Sequence, residues 1–377
     1  MMTTASSLTS PTPAVPAALI RAIVQAGGWL AFDDYMHWAL CAPGQGYYAR
    51  GSEQLGHMPA PATGGHGSDF VTAPELSALF GWTLAQQVAQ ALQVTGTDEV
   101  WEFGAGTGAL ADQVLQALQA RQISVACYHI VEVSGALQTR QRERLQAFGD
   151  QVQWHTALPA HLNGVLLGNE LLDAMPVKLL ARRHGQWQER GVVLDGSPAR
   201  LAWQDRPTRL TPPLAIEGEH DYLCEIHLQA EAFVRTVGER LRQGAIFLID
   251  YGFPEAEFYH PQRHMGTLMC HRAHRADSDP LQDPGDKDIT AHVNFTGIAL
   301  AGNTVGLGVL GYCTQARFLM NCGLLQRLQD ADLPARVMAQ KLIMEHEMGE
   351  LFKVIGFFKG DPWDALGFAL GDRTHTL

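Results

Sequence analysis

The sequence has no CxxC pair and no long apolar run. Its six cysteines stand singly, at positions 41, 127, 224, 270, 313 and 322. This spacing excludes a zinc ribbon and a disulfide framework, and it is typical of a protein in a reducing compartment. No stretch reaches the roughly 20 apolar residues that a membrane-spanning helix needs, so we expect no membrane insertion.

Positive charge is also scarce. Lys and Arg total 27 against 39 Asp and Glu, which gives a formal net charge of −12. Such a surface repels phosphate backbones, so we expect no nucleic acid as the main partner, although a local basic groove stays open. The first residues, MMTTASSLTSPTPAVPAA, contain no arginine and lack the charged start and long apolar block of a secretory signal. We therefore expect a disordered tail over 1–17 and a cytoplasmic location.

The sequence does contain an alternation of strand-like and helix-like segments. The strand-like ones are EVWEFGAG, VACYHIVEV, HLNGVLLGNEL and AIFLIDYG, and the helix-like ones include GALADQVLQALQARQ, SGALQTRQRERLQAF and VRTVGERLRQ. Such alternation predicts an α/β fold with a mostly parallel sheet and helices on both faces.

Other segments surround this core. We predict an N-terminal helical cap over 18–80 and an antiparallel β insertion over 177–224, so that 81–176 and 225–377 form the core with a C-terminal helical segment. A polar, His-rich loop is predicted from 251 to about 288. The segment LFKVIGFFKG predicts a last strand at the sheet edge, and AGNTVGLGVLGY is too rich in glycine for an assignment.

The stretch VWEFGAGTGAL predicts a nucleotide-binding turn. Gly104, Gly106 and Gly108 follow a strand and precede a helix, where ligands bind in open parallel sheets. The spacing is G-x-G-x-G, whereas a dinucleotide fold typically has G-x-G-x-x-G. Glu102 stands before the first glycine, where it would repel a diphosphate and favour the cationic S-adenosylmethionine. The alternative is a plain strand-to-helix turn.

Glu132 ends the next strand, in YHIVEVS. A carboxylate there can accept hydrogen bonds from both hydroxyls of a ribose, as NAD and S-adenosylmethionine both require. Glu132 therefore supports a nucleoside ligand without choosing between the two. The alternative for Glu132 is a solvated strand end.

Polar residues also end the later strands. Asn169, Glu170 and Asp173 cluster in GNELLDAMPV, and Asp250 and Tyr251 end IDYG. Polar groups at strand ends face the crevice in such sheets, so we expect these residues beside a methyl acceptor. The alternatives are a helix cap for Asn169 and a solvated face for Asp173.

Together these segments resemble the MidA-like family of S-adenosylmethionine-dependent methyltransferases. The similar motifs run in order from about 32 to 360: GSDFVTAPELSALFG, VWEFGAGTGALA, IVEVSGALQTRQRERL, GNELLDAMPV, LIDYG, DITAHVNFTGIA and TQARFLMNCGLL. The resemblance implies a Rossmann-like class I methyltransferase fold, S-adenosyl-L-methionine as cofactor and S-adenosyl-L-homocysteine as product. Mitochondrial members are protein-arginine methyltransferases that assist assembly of respiratory complex I.

The resemblance also implies site residues and a partner. The cofactor set it implies is Glu102, Gly104, Gly106, Gly108, Glu132 and Asn169, and the set that closes the site is Asp69, Phe70, Thr72, Pro74, Glu75 and Tyr251. Asn169 and Glu170 would face the acceptor. The expected partner is a protein substrate that carries an arginine, in a respiratory or other multi-subunit complex, and a homodimer is a further expectation.

An arginine acceptor requires a carboxylate, because the guanidinium stays charged and delocalised unless one side of it is paired. The first candidate is Glu170, followed by Asp173, Glu75 and Asp250. His292 in DITAHVNF is a candidate hydrogen-bonding group near the acceptor, with a structural histidine as the alternative. The cluster HMGTLMCHRAH matches no standard zinc spacing, so we expect no metal.

Other function classes remain open at this point. A small-molecule methyltransferase would use the cap and the insertion to close a pocket. A non-catalytic assembly factor would keep the cofactor fold as a scaffold, but it would not need the glycine turn and both acids. A nicotinamide oxidoreductase is disfavoured by Glu102 and by the short glycine spacing.

Overall fold

The structure, a computed structural model, describes residues 15–49, 71–196, 200–272 and 275–377. The predictions for Asp69, Phe70, His274 and most of the 1–17 tail lie outside these residues. The strands in chain order are β1 (Leu30–Ala31), β2 (Glu99–Phe103), β3 (Cys127–Val131), β4 (Val152–His155), β5 (Leu162–Asn169), β6 (Lys178–Arg183), β7 (Gln186–Asp195), β8 (Arg200–Pro207), β9 (Tyr222–Ile226), β10 (Leu241–Phe253), β11 (Met269–Arg272), β12 (Arg275–Asp277), β13 (Asp288–Thr290), β14 (Val293–Asn294), β15 (Gly308–Thr314) and β16 (Phe352–Lys359).

The α-helices follow the same chain order. They are α1 (Ala17–Gln25), α2 (Phe32–Cys41), α3 (Ala73–Leu76), α4 (Ala78–Thr95), α5 (Ala109–Ala120), α6 (Gly135–Arg144), α7 (Leu228–Arg240), α8 (Glu255–Phe258), α9 (Phe295–Thr304), α10 (Gln315–Asn321), α11 (Leu324–Asp330), α12 (Leu333–Lys341) and α13 (Met348–Leu351). Among the described residues, no helix combines the length and the apolar content that crossing a membrane requires.

The main sheet has the order β15-β16-β10-β5-β2-β3-β4, and β14 pairs with the end of β10. Strands β10, β5, β2, β3 and β4 are parallel, whereas β16 and β15 join antiparallel. The α/β prediction with a mostly parallel sheet is confirmed. Strand β2 has β3 on one side and β5 on the other, so the strand order reverses at β2. Ligands bind in such sheets at the carboxyl ends of the strands beside this reversal.

Helices cover both faces of the sheet because apolar side chains alternate along its strands. Helices α4 and α5 pack on one face around Phe80, Leu84 and Val114, and α7 and α9 pack on the other around Val234 and Ile298. The side chain of Ser77 caps α4 by accepting from the amide of Leu79. Because α4 begins at Ala78 and belongs to this core, the predicted boundary at residue 80 falls inside a helix.

The edge of the main sheet differs from the prediction. The last strand, β16, lies between β10 and β15, so β15 forms the edge. A Cβ at Gly308 would lie 2.3 Å from the Phe358 ring, and one at Gly311 would lie 2.2 Å from the Phe368 ring. The glycines that obscured β15 in the sequence therefore make room for aromatic rings. The short strand β4, at the opposite edge, was also missed.

A second, antiparallel sheet occupies the region of the predicted insertion. Its order is β1-β7-β6-β9, with β8 paired to β7, and it extends to Ile226. Strand β1 comes from the N-terminal region and pairs Leu30 with Val192. Helix α2 packs on this sheet through Phe32 and Met36. The N-terminal helices and the insertion therefore share one core.

The segment after Tyr251 is not only a loop, as predicted. Strands β12, β11 and β13 form a small antiparallel sheet there. Cys270 and Ile289 are paired across it, and both are buried with Tyr35 in the core that includes α2. Burial of these few apolar residues gives the polar segment its structure.

Candidate active site

The glycine turn joins β2 to α5 at the carboxyl end of the central strand. Gly104, Gly106 and Gly108 have φ angles of 67°, 52° and 82°, in the left-handed region that side chains disfavour. Gly104 and Gly106 line a cavity of about 360 Å³, and Gly108 is the residue from which α5 begins. A Cβ on Gly106 would meet no protein atom within 4 Å. The backbone of Gly106 therefore borders open space that a ligand can approach closely.

Glu102 forms the floor of this cavity. The residue is only 2% exposed, and the Tyr128 hydroxyl donates to its Oε2 at 2.6 Å. Burial raises the pKa of the Glu102 carboxyl to about 7, although the hydrogen bond from Tyr128 lowers it. No cation of the described residues pairs with Glu102. A cationic ligand would stabilise the ionised carboxylate.

Glu132 lines the same cavity at the end of β3. Its Oε1 accepts from the amide of Ser134 at 2.8 Å, and its Oε2 accepts from Gln141 Nε2 at 3.3 Å. Gln141 Nε2 also donates to the Gly106 carbonyl at 2.9 Å, and Trp154 donates to Gln141 Oε1 at 3.0 Å. Gln141 therefore joins the glycine turn to the acid of the neighbouring strand.

Asn169 and Glu170 line the cavity at the end of β5. Asn169 Nδ2 donates to Glu170 Oε1 at 3.0 Å, and the Ala73 amide approaches the same oxygen at 3.4 Å. Burial is the main reason that the pKa of Glu170 rises to about 8, and the charge of Asp173 adds to it. Glu170 has a φ of 51°, and Asn169 Oδ1 is buried without a hydrogen-bond donor. Two side chains with hydrogen-bond-accepting oxygens, Asn169 and Glu170, thus lie beside the glycine turn.

Asp250 does not line this cavity. Its Oδ2 accepts from the backbone amides of Leu171, Leu172 and Asp173 at 3.1, 2.8 and 3.2 Å. The residue is 1% exposed, and burial together with the charge of Asp173 raises the pKa of its carboxyl. Asp250 therefore holds the turn that follows Glu170.

Asp173 and Tyr251 are also set back from the cavity. The Tyr251 hydroxyl donates to Asp173 Oδ2 at 2.5 Å, while Asp173 Oδ1 is buried without a partner. Burial raises the pKa of Asp173 to about 6. The charge of Asp173 also raises the pKa of the Glu170 carboxyl.

His292 is a partly buried ring between aromatic side chains. Its ring lies 5.1 Å from the ring of Tyr251 and 5.3 Å from that of Phe253. Burial lowers the pKa of His292 to about 4, so the ring is neutral near pH 7. His292 does not line the cavity. Its position fits the structural alternative better than contact with an acceptor.

The α3 turn covers one side of the cavity. Thr72, Pro74 and Glu75 line it, and Glu75 Oε1 accepts from the Thr107 hydroxyl and from Arg144 Nη1, the latter at 2.8 Å. Glu75 thereby joins this turn to the glycine turn and to α6.

Sequence reasoning missed several residues of the site. Tyr48 lines the cavity and donates to Asp288 Oδ1 at 2.8 Å, and Cys41 lines it at the end of α2. The only signal for Tyr48 is the tyrosine pair in CAPGQGYYARG. Gln141 gives no signal, because helix α6 is rich in glutamine and arginine throughout.

The His-rich cluster does not form a metal site in the part of the chain that the structure describes. No three His, Cys, Asp or Glu side chains converge there with metal-binding geometry. Cys270 and His271 belong to β11, and burial raises the pKa of the Cys270 thiol to about 12.

Comparison with known proteins identifies the cofactor, which is a methyl donor. Residues 83–313 match the model of a family described as S-adenosyl-L-methionine-dependent methyltransferase. This chain belongs to that family. A crystal structure of a Burkholderia thailandensis protein bound to S-adenosyl-homocysteine is similar to this methyltransferase, with a TM-score of 0.90, 48% identity and 96% of each chain covered.

Curated relatives give further names. The Danio rerio protein named "Protein arginine methyltransferase NDUFAF7, mitochondrial" is 28% identical over 381 residues, which cover 87% of this chain and 83% of the relative. The Drosophila melanogaster homolog of the same name is 27% identical over 402 residues, which cover 93% and 87%. The resemblance and the cofactor stated from the sequence are confirmed.

The residues of the cavity fit S-adenosylmethionine. A volume of about 360 Å³ lies within the roughly 300–1,000 Å³ of small-molecule sites. Gly106 leaves open space, Glu132 lines the cavity with a carboxylate that can accept from a ribose hydroxyl, and Glu102 is an acid with no described cation beside it, which suits a cationic ligand. The methyltransferase binds this cofactor, and the roles of the individual residues stay predictions.

Proposed function

We propose that this methyltransferase transfers the methyl group of S-adenosylmethionine to the guanidinium of an arginine in a protein. The observation that carries the proposal is the Glu170 carboxylate at the end of β5. It lines the cavity of about 360 Å³ beside the glycine turn, which we call the donor cavity because it fits the methyl donor. The names of the curated relatives, protein arginine methyltransferases, support the same acceptor.

The chemistry of arginine explains why Glu170 matters. A methyl group on a sulfonium is already activated, which is the chemistry that the cofactor supplies when bound. The protein must then place a guanidinium nitrogen in line and exclude water. Glu170 pairs with one edge of the guanidinium, and Asn169 Oδ1, which lacks a donor, accepts a further N–H. This pairing localises the positive charge and leaves another nitrogen better aimed.

Methylation of a guanidinium also releases one proton. As the nitrogen–carbon bond forms and the sulfur–carbon bond breaks, the attacking nitrogen gives up a hydrogen ion. In the free protein a carboxyl with a pKa of about 8 is mostly protonated at pH 7, and a guanidinium bound beside it stabilises the ionised form. Once ionised beside the guanidinium, the Glu170 carboxylate pairs with that cation, and its buried position gives it the basicity to accept the released proton.

The acceptor is tested with a labelled methyl donor. A lysate of cells that lack the gene is incubated with the enzyme and methyl-labelled S-adenosylmethionine, and labelled proteins are separated and mapped by mass spectrometry. We expect label on arginine in one or a few protein bands. Label on another residue type, or only in small molecules, would contradict the proposal and favour a small-molecule methyltransferase.

Two variants sharpen this test. Glu170→Gln keeps the shape of the side chain and removes its charge, so we expect it to bind S-adenosylhomocysteine normally and to lose at least a hundredfold in methyl transfer. Glu239→Gln changes an exposed glutamate of α7 and should be as active as the unmodified enzyme. Unchanged turnover in Glu170→Gln would leave Glu170 without the role proposed for it.

We further infer that the acceptor belongs to a subunit of a multi-subunit complex, such as respiratory complex I. The support is the resemblance of the ordered motifs to the MidA-like family. Labelling of intact complexes and of their isolated subunits, compared side by side, tests this inference. Label confined to proteins outside any such complex would oppose it.

A further inference from the structure

A second cavity, of about 590 Å³, lies where β10 ends and β16 begins. It shares no lining residue with the donor cavity. Phe253, Pro254 and Leu351 supply apolar walls, and the charged side chains of Glu350, Lys353 and Arg373 lie among them. The proposed function gives this second cavity no role.

Lys353 places a buried ammonium group in this second cavity. The residue is 4% exposed, and its Nζ donates to the carbonyl oxygens of Glu350 and Leu351. In the described part of the chain, no carboxylate lies within ion-pair distance of it. Burial lowers the pKa of Lys353 to about 8, and the charges of Arg373 and Arg263 act in the same direction, whereas the charges of Glu350 and Glu257 oppose the shift. A buried ammonium with no carboxylate in direct contact is costly, and an anionic ligand in contact with it would offset that cost.

Tyr312 adds a hydroxyl group without a partner. The residue is 0% exposed, it lines the second cavity, and its hydroxyl has no hydrogen-bond partner. Arg373, by contrast, pairs with Glu350 at 2.8 Å. The inner wall therefore offers one ammonium that contacts carbonyl oxygens and the Phe253 ring but no carboxylate, and one hydroxyl without a partner.

We propose that the second cavity binds a monocarboxylate with an apolar body, whose carboxylate accepts from Lys353 Nζ and the Tyr312 hydroxyl. A single negative charge matches the one ammonium that contacts no carboxylate. The exposed Glu257 and Glu345 also line this cavity and disfavour a more highly charged anion such as phosphate. The apolar walls suit an aliphatic or aromatic body. This proposal does not depend on the identity of the methyl acceptor.

Binding is tested on the enzyme saturated with S-adenosylhomocysteine, so that no carboxylate can enter the donor cavity. Benzoate, hexanoate and inorganic phosphate are titrated to about 10 mM, a weak-binding range, and followed by thermal shift and calorimetry. We expect saturable binding of at least one carboxylate and none of phosphate. No saturable binding of either carboxylate, or equal binding of phosphate, would overturn the proposal.

Three variants locate the binding. Lys353→Met should weaken carboxylate binding roughly tenfold to a hundredfold, and Tyr312→Phe roughly threefold to tenfold, as expected for a charged and a neutral hydrogen bond. Lys359→Met is the matched control, because Lys359 lies on the same strand, also donates to a backbone carbonyl and lies outside the second cavity. Unchanged affinity in both Lys353→Met and Tyr312→Phe would refute the site.

The source of the carboxylate is tested with peptides. A short apolar peptide with a free carboxyl terminus is compared with the same peptide amidated at that terminus. Binding of the free peptide alone, lost in Lys353→Met, would identify a chain terminus as ligand. Binding of benzoate or hexanoate without the peptide would identify a free small molecule. None of these results alters the labelling test for arginine.

Discussion

The carboxyl of Glu170 should make stability depend on pH in a way that one substitution removes. Burial, with the charges of Asp173 and Asp288, raises the pKa of Glu170 from 4.5 to about 8. Between these values the native protein holds a proton that the unfolded chain has lost. The free energy of unfolding contributed by this group therefore falls as pH rises through that window.

The size of the effect follows from the same pKa. Each pKa unit corresponds to about 1.36 kcal/mol, so the rise from 4.5 to about 8 sets an upper limit of roughly 5 kcal/mol at pH 9. Glu170 borders an open cavity and is partly exposed, and solvent screens its interactions. We therefore expect Glu170→Gln to be more stable than the unmodified protein by about 2 kcal/mol at pH 9. At pH 5 the two proteins should differ little.

Urea unfolding followed by circular dichroism at pH 5, 7 and 9 measures this difference without cofactor. Glu239→Gln is the control, because an exposed glutamate should leave the pH dependence unchanged. The reasoning is refuted if the difference in free energy of unfolding between Glu170→Gln and the unmodified protein is the same at all three pH values. It is also refuted if Glu170→Gln is the less stable of the two at pH 9.

Three further substitutions test the architecture of the site. Gly106→Ala should weaken S-adenosylhomocysteine binding at least tenfold in calorimetry, because the added Cβ enters the cavity. The control is Gly96→Ala, at the end of α4, where φ is 64°. Both variants should lose about 1 kcal/mol of stability, but Gly96→Ala should bind S-adenosylhomocysteine normally. Gln141→Leu should weaken the same binding about tenfold, since it removes hydrogen bonds worth roughly 1–1.5 kcal/mol, and the exposed Gln116→Leu should not. Asp250→Ala removes the acceptor of four backbone amides and should lower the free energy of unfolding by about 3 kcal/mol in urea; a loss below 0.5 kcal/mol would contradict its role.

The donor half of the site could be predicted from the sequence because its signals are local. Glu102 lies near the end of β2, Gly104 and Gly106 follow that strand directly, and the carboxyl ends of parallel strands meet at one rim. The same rule brings Asn169 and Glu170 to that rim. Predicting the positions of these residues requires only the correct strand and its direction, and the apolar pattern of the sequence indicates both.

The features that sequence reasoning could not predict depend on contacts between distant parts of the chain. Asp250 lies at the predicted rim, but its carboxylate turns to three amides that are almost eighty residues earlier in the chain. Gln141 is buried only because α6 packs over the glycine turn. Strand β15 was missed because its glycines accommodate the Phe358 and Phe368 rings. None of these contacts has a period or a spacing that sequence alone could reveal.

The left-handed backbone at Glu170 has a consequence for how the enzyme changes under selection. A side chain in that region costs about 1 kcal/mol relative to glycine, and the raised pKa of Glu170 adds a cost at neutral and alkaline pH. A library randomised at this position and selected only for resistance to proteolysis should therefore drift toward glycine or asparagine. Selection for methyl transfer should retain glutamate. Stability and turnover thus pull in opposite directions at one position, and sequencing the two selected pools would show how strongly.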